Sequence, residues 1–244
     1  MKFIRKILVK ILGIRRFIRF ASYIYLLFVK NGFFKKKYPE LFFLKKIISL
    51  GNNCIDIGAN VGYYSYFLSK LSGKNGKIFA IEPIPMFAKI WAKNVRKTGI
   101  DNLTIFPYAL GGENKTVQMG IPEVDGVLHH GMTKITSTRD DKYLRFFNVE
   151  MRIPDELFKD ISQIDFIKCD VEGYESFVFS NMIETIKKHR PMIQSELGGT
   201  ENRLAVIKLL TDLGYCPKVL GNKELIDISP EEIPTLNCDF YFVP

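Results

Sequence analysis

Four acids and one tyrosine stand where apolar runs stop: Asp56 in CIDIGANVG, Glu82 in KIFAIEP, Tyr108 in NLTIFPYAL, Asp170 in IDFIKCDVEGYE and Glu196 in PMIQSEL. A carboxylate at such a point can accept hydrogen bonds from a hydroxyl, take its proton, or hold a hard cation. Gathering several carboxylates away from water is costly unless a ligand or hydrogen bonds compensate. Their recurrence at strand ends therefore carries more information than any single acid. Asp170 has a second acid, Glu172, two residues on, and Gly173 then turns the chain. The pair could orient a substrate hydroxyl, remove its proton, or join Glu196 around magnesium or calcium; no metal is expected. Glu175, just beyond, reads as an acid compensating a helix N-terminus.

The stretch Asp56 to Gly62, DIGANVG, has two glycines, Gly58 and Gly62, with Asn60 between them. It lacks the third glycine of the dinucleotide fingerprint G-x-G-x-x-G, which argues against a nicotinamide-dependent oxidoreductase. Gly58 lets the backbone come close to a ligand, and the helix that follows offers free N–H groups. A pyrophosphate could use those donors, and so could the carboxylate of an amino-acid tail. Glu82 lies 20 residues after Gly62, a spacing that suits a carboxylate receiving ribose hydroxyls. It could equally cap the helix after Pro83. Only three histidines exist, and His129 and His130 are adjacent in a polar stretch. Imidazole titrates near neutral pH, which suits a general base; solvated loop residues are the plain alternative. Candidates for the base are thus Asp170, Glu172, His129 and His130.

These residues need a scaffold. Apolar strands alternate with helical segments over 60–71, 86–97, 174–189 and 201–213, and this rhythm predicts a parallel sheet with helices on both faces, an α/β fold. Ligands of such sheets bind beyond the carboxyl ends of the strands. Residues 111–147 interrupt the rhythm: KTVQMGIP and NVEMRIP look like short strands, and VDGVLHHGMTKITSTRDD between them reads as a lid or binding loop.

The 244 residues suffice for one well-buried domain, with 47% hydrophobic and 25% charged residues. The net charge of +9 is unevenly placed. Residues 1–46 hold 13 bases and one acid, Glu40, leaving 22 bases against 25 acids in residues 47–244. A near-neutral body argues against a nucleic-acid-binding role for it. The boundary divides a basic helical extension, 1–46, from the main domain, 47–244. The extension has apolar residues at helical spacing and an apolar run from Phe20 to Val29, too short to span a bilayer. No signal-peptide cleavage pattern follows it. It reads either as a helical cap on the domain or as an interfacial helix, residues 1–37, lying on an anionic membrane surface. Cys54, Cys169, Cys216 and Cys238 form no metal or disulfide pattern, and Cys54 and Cys169 read as core residues. A cytoplasmic setting, peripheral to the membrane's inner face on the second reading, fits these features.

CIDIGANVGYYSYFLSK, KIFAIEPIP, NLTIFPYALG, IDFIKCDVEGYE and RPMIQSEL, in this order and spacing, resemble the FkbM family of S-adenosylmethionine-dependent methyltransferases. The resemblance runs from about Cys54 to Leu197. It implies a class I methyltransferase fold, a Rossmann-like, doubly wound seven-stranded sheet, and O-methylation of sugar or natural-product hydroxyls. It also implies that Asp56, Gly58, Asn60 and Gly62 underlie the methionine end of S-adenosylmethionine. Glu82 would then hold the ribose, Tyr108 and Ala109 would flank the adenine, and Asp170 and Glu172 would lie beside the transferred methyl. The acceptor it suggests, with the N-terminal segment, is an envelope glycan or sugar. One segment departs from the family: IPDELF, with Pro154 and Asp155, replaces a usual Leu-Asp pair. A non-catalytic protein that keeps the fold is the other alternative.

Overall fold

The computed structural model describes residues 9–99, 101–124, 127–128, 134–135, 143–229 and 231–244. Strands β1 (Cys54–Ile57), β2 (Ile78–Ile81) and β3 (Leu103–Phe106) alternate with helices. Helices α1 (Ile14–Lys30) and α2 (Pro39–Ile47) precede β1; α3 (Tyr63–Ser72) and α4 (Pro85–Arg96) follow β1 and β2. After a break come α5 (Pro154–Phe158), β9 (Phe166–Cys169), α6 (Glu175–Ser180), α7 (Ile183–His189), β10 (Met192–Glu196) and α8 (Thr200–Asp212). The chain closes with β11 (Cys216–Leu220), β12 (Leu225–Asp227) and β13 (Asp239–Val243).

Every residue of β1 and β9 is buried, as expected of parallel strands covered on both faces. The main sheet runs β12-β11-β13-β10-β9-β1-β2-β3. β1 pairs in parallel with β2 on one side and with β9 on the other. The chain order reverses there, so the crevice above β1 and β9 is the topological switch point. β13 enters antiparallel between β10 and β11. Ile55, Ile57, Ile167, Cys169 and Ile193 face α6, α7 and α8, while Cys54, Ile78 and Phe166 face α2 and α3. The expected doubly wound sheet therefore forms, with eight strands in place of seven, because β12 adds a short hairpin at the edge.

Three local expectations are corrected. NLTIFPYAL is two strands, not one: β3 ends before Pro107, and β4 (Tyr108–Leu110) pairs with β8 (Tyr143–Arg152) in a second sheet. Proline has no N–H and cannot continue the ladder. The helix expected over 174–189 breaks between Ser180 and Ile183. Asp155 carries the second start: its carboxylate accepts from the N–H groups of Glu184 and Thr185 and from the Thr185 hydroxyl. The departure at IPDELF thus supplies a helix cap. Finally, the stretch read as a loop holds β6 (Val127–Leu128) and β7 (Lys134–Ile135), both paired with β5 (Lys115–Val124).

Under the sheet, Lys168 on β9 is almost fully buried, with Nζ 3.3 Å from Asp239 Oδ2. Gln194 Nε2 donates to the same oxygen at 2.6 Å and to the Tyr64 hydroxyl at 3.1 Å. Burial alone would lower the Lys168 pKa; the carboxylates of Asp239, Asp170 and Glu196 outweigh it and keep the ammonium charged. Asp239→Ala should cost about 3–5 kcal/mol in urea unfolding, because it strands a buried charge. Lys168→Met with Asp239→Leu should recover most of that loss; a single-variant loss under about 1 kcal/mol would show the pair to be solvent-screened.

Candidate active site

A cavity of about 780 Å³ opens beyond the carboxyl ends of β1, β2 and β9. Its walls include Gly58, Asn60, Glu82, Tyr108, Ala109, Asp170 and Glu172, seven of the residues singled out from the sequence. Backbone contacts lash the strand ends together. Gly58 and Ala59 donate to the Ile81 carbonyl, and Asp170 donates to the Ile57 carbonyl at 3.0 Å. Gly58 sits at φ 82°, and a Cβ there would lie 1.9 Å from the Asp170 carbonyl oxygen. Only glycine fits, on both conformational and steric grounds.

Asn60 also adopts a left-handed φ of 49°, which asparagine tolerates. Its N–H donates to Glu82 Oε2 at 2.9 Å, and the N–H of Ile84 donates to Oε1 at 2.8 Å. Glu82 therefore braces the bend and the start of α4 together. A carboxylate has about four lone-pair positions, so acceptor capacity remains for ligand hydroxyls. Burial pushes the Glu82 carboxyl up to about 8, with the two amide donors pulling against it. Asn60 Oδ1 is buried and has no partner within the protein. An orphan acceptor on a cavity wall fits a ligand that brings a donor, such as an α-amino group.

Asp56 and Gly62 do not border the cavity. Asp56 lies on the face of β1 turned toward α3, where the Ser65 hydroxyl donates to its carboxylate at 2.5 Å and Trp91 Nε1 donates to that hydroxyl at 2.8 Å. A Cβ on Gly62 would come within 3.0 Å of the Trp91 ring. Both residues hold the bend from beneath. Burial raises the Asp56 carboxyl to about 6, against the pull of Ser65 and Lys168.

On the other wall, Glu172 sits at φ 57° and Gly173 at φ 93°. The brace for this turn is Glu175, which the sequence reading assigned to helix-dipole compensation. It is fully buried: Oε1 accepts from the N–H groups of Val171 and Gly173, at 2.9 and 3.1 Å, and Oε2 accepts from Asn202 Nδ2 at 2.6 Å. Asn202 belongs to a wall segment that sequence reasoning missed, Gly198 to Asn202. The glycine pair following the end of β10 was its only local sign. Burial raises the Asp170 carboxyl, while Lys168 pulls it down. Glu196 is exposed and does not border the cavity. No three His, Cys, Asp or Glu side chains are placed to hold a metal ion among the described residues. His129 and His130 lie outside the described residues.

Two expectations follow from this geometry. Gly58→Ala should cost at least about 2 kcal/mol and abolish binding of S-adenosylhomocysteine, whereas Gly51→Ala, strained but unobstructed at φ 87°, should cost about 1–2 kcal/mol and leave binding intact. Glu82 holds its proton at neutral pH before a ligand arrives. Hydroxyl donors favour the ionised form, so binding releases a proton and affinity should rise with pH up to about 8, then level off. Calorimetric titration at several pH values checks this, and Glu82→Gln should flatten the profile. A flat wild-type profile would contradict it.

Residues 56–216 match the family model described as the methyltransferase FkbM domain. Among solved structures, the chain is similar to the methyltransferase FkbM from Methylobacillus flagellatus KT, at 18% identity and TM-score 0.49, covering 78% of this chain and 43% of that one. It is also similar to a precorrin-6y C5,15-methyltransferase from Geobacter metallireducens GS-15, at 15% identity and TM-score 0.49, covering 82% of each chain. A curated protein-L-isoaspartate O-methyltransferase from Methanococcoides burtonii is 31% identical over 58 residues, 24% of this chain and 29% of that protein. The chain thus spans under half of the first structure and under a third of the curated relative. The family match extends from the glycine bend through both braced turns and beyond β10: this chain belongs to the FkbM family of S-adenosylmethionine-dependent methyltransferases.

Proposed function

We propose that the protein transfers the methyl group of S-adenosylmethionine to a hydroxyl of a sugar or glycan, in envelope polysaccharide synthesis. The observation that carries this reading is the lining of the cavity. Gly58, Asn60, Glu82, Tyr108 and Ala109 bring an orphan acceptor and a braced carboxylate. Asp170, Glu172, Tyr174, Thr200, Glu201 and Asn202 line it too and are rich in hydrogen-bonding groups. Tyr174 stacks on Phe177, with ring centroids 4.6 Å apart and planes 10° apart. Carboxylates, an amide and an aromatic face together suit a polyhydroxylated acceptor with apolar C–H faces.

Bound against the glycine bend, S-adenosylmethionine would supply an electrophilic methyl group on a sulfonium. The chain's own work is positioning and proton removal. Alignment of donor and acceptor oxygen contributes up to ~7–11 kcal/mol. A sugar hydroxyl is a weak nucleophile, and a placed base adds roughly 10²–10⁴-fold. Asp170 and Glu172 line the cavity and are the described candidates for that base; burial raises the Asp170 carboxyl, while Lys168 pulls it down.

Incubation with labelled S-adenosylmethionine and fractionated envelope glycan, followed by locating the methyl group, tests the reading. Label on a sugar oxygen is the expected result; label only in protein or nucleic acid overturns the substrate class. Asp170→Asn or Glu172→Gln should lower kcat by about 10²–10⁴-fold while S-adenosylhomocysteine affinity changes little. Full turnover in both variants would remove the carboxylates from the proton transfer.

A further inference from the structure

We infer that the protein docks on an anionic membrane surface through the outer face of α1 and the turn that follows it. The helix has two apolar faces. Ile14, Ile18, Ser22, Leu26 and Val29 are buried, and Asn94 on α4 donates to the Ser22 hydroxyl, so one face caps the domain. Opposite them, Phe20, Ile24, Leu27 and Phe28 follow at i, i+4, i+7 and i+8, a second stripe. Phe20 is 61% exposed and Phe28 is 45% exposed. The next turn extends the patch: Phe33 and Phe34 pack edge-on against Phe28, at centroid distances of 5.3 and 6.3 Å, and both remain exposed. A packed cap does not require this outer stripe.

Charge identifies the occupant. Arg15, Arg16, Arg19, Lys30, Lys35, Lys36 and Lys37 are all exposed on the same helix and turn, and no acid precedes Glu40. Exposed aromatic and aliphatic side chains flanked by bases, in a segment with no acids, match the boundary between acyl chains and anionic headgroups. No helix among the described residues is long and apolar enough to cross a bilayer, so α1 would lie in the interface. Its packed face also connects to the site. Ile14 and Ile18 share a core cluster with Ile84, Phe87 and Met119, all three of which border the cavity. Docking would set the cavity beside the lipid surface. On the methyl-transfer reading above, this favours an acceptor carried at that surface, but the docking itself does not depend on that reading.

Co-sedimentation of the full chain with vesicles tests the inference, using pure phosphatidylcholine against phosphatidylcholine with about a third phosphatidylglycerol. Binding should be confined to the anionic vesicles and weaken with added salt. Arg16→Gln with Arg19→Gln should reduce it about 25-fold, from about fivefold for each base. Phe20→Ser with Phe33→Ser should reduce it at least about tenfold. Both double variants should keep wild-type melting temperature and S-adenosylhomocysteine affinity, which separates loss of docking from loss of the fold or the cofactor site. No binding to anionic vesicles, equal binding to both kinds, or undiminished binding by the variants would overturn the inference. So would a dimer that Phe20→Ser dissolves in the absence of any vesicle binding.

Discussion

The site depends on one close approach: the backbone at Gly58 lies against the carbonyl of Asp170, with no room for a side chain between them. This contact ties the turn after β1 to the turn after β9, the two strands that flank the switch point. The ladder continues into both turns, through Asp170 to Ile57 and through Gly58 to Ile81. A parallel sheet leaves its carboxyl-end backbone groups pointing into the crevice. Here the neighbouring strand satisfies part of that set, and the turns are pressed into one floor.

Buried carboxylates then hold the floor in shape from three directions. Asp56 works from below through Ser65 and Trp91, Glu82 from the β2 side through two backbone amides, and Glu175 from the β9 side through two more amides and Asn202. Each carboxylate would be costly in an apolar interior without these donors. Paired with them, each fixes a backbone conformation that short sequence preferences would not select, including the left-handed Asn60 and Glu172. Preorganisation of this kind is what methyl transfer demands, since alignment supplies much of the rate.

The parts legible in the sequence were those governed by short-range rules. Apolar runs ended by acids mark the strand ends, and the spacing from Gly62 to Glu82 marks the next strand end along the crevice. Asp56 stands at the end of β1, under the bend, and does not border the cavity. Strand alternation puts it on the face of Cys54, toward α3, and only the positions of Ser65 and Trp91 show that this face is closed. Glu175 and the Gly198–Asn202 segment depend on a contact across 27 residues, which no local pattern reports. Pro107 was a visible strand breaker, yet its consequence, a second sheet carrying Tyr108 and Ala109 to the cavity, needed β8 as a partner. The basic N-terminal segment was read as either a cap or a membrane helix, and α1 has the surface for both.

This floor fits a methionine-bearing nucleoside better than a dinucleotide. Isothermal titration of the full chain with S-adenosylhomocysteine and, separately, with NAD measures that most directly. The account predicts saturable one-to-one binding of S-adenosylhomocysteine and no measurable heat with NAD. Binding of NAD with equal or greater affinity, or the absence of any S-adenosylhomocysteine binding, would contradict it.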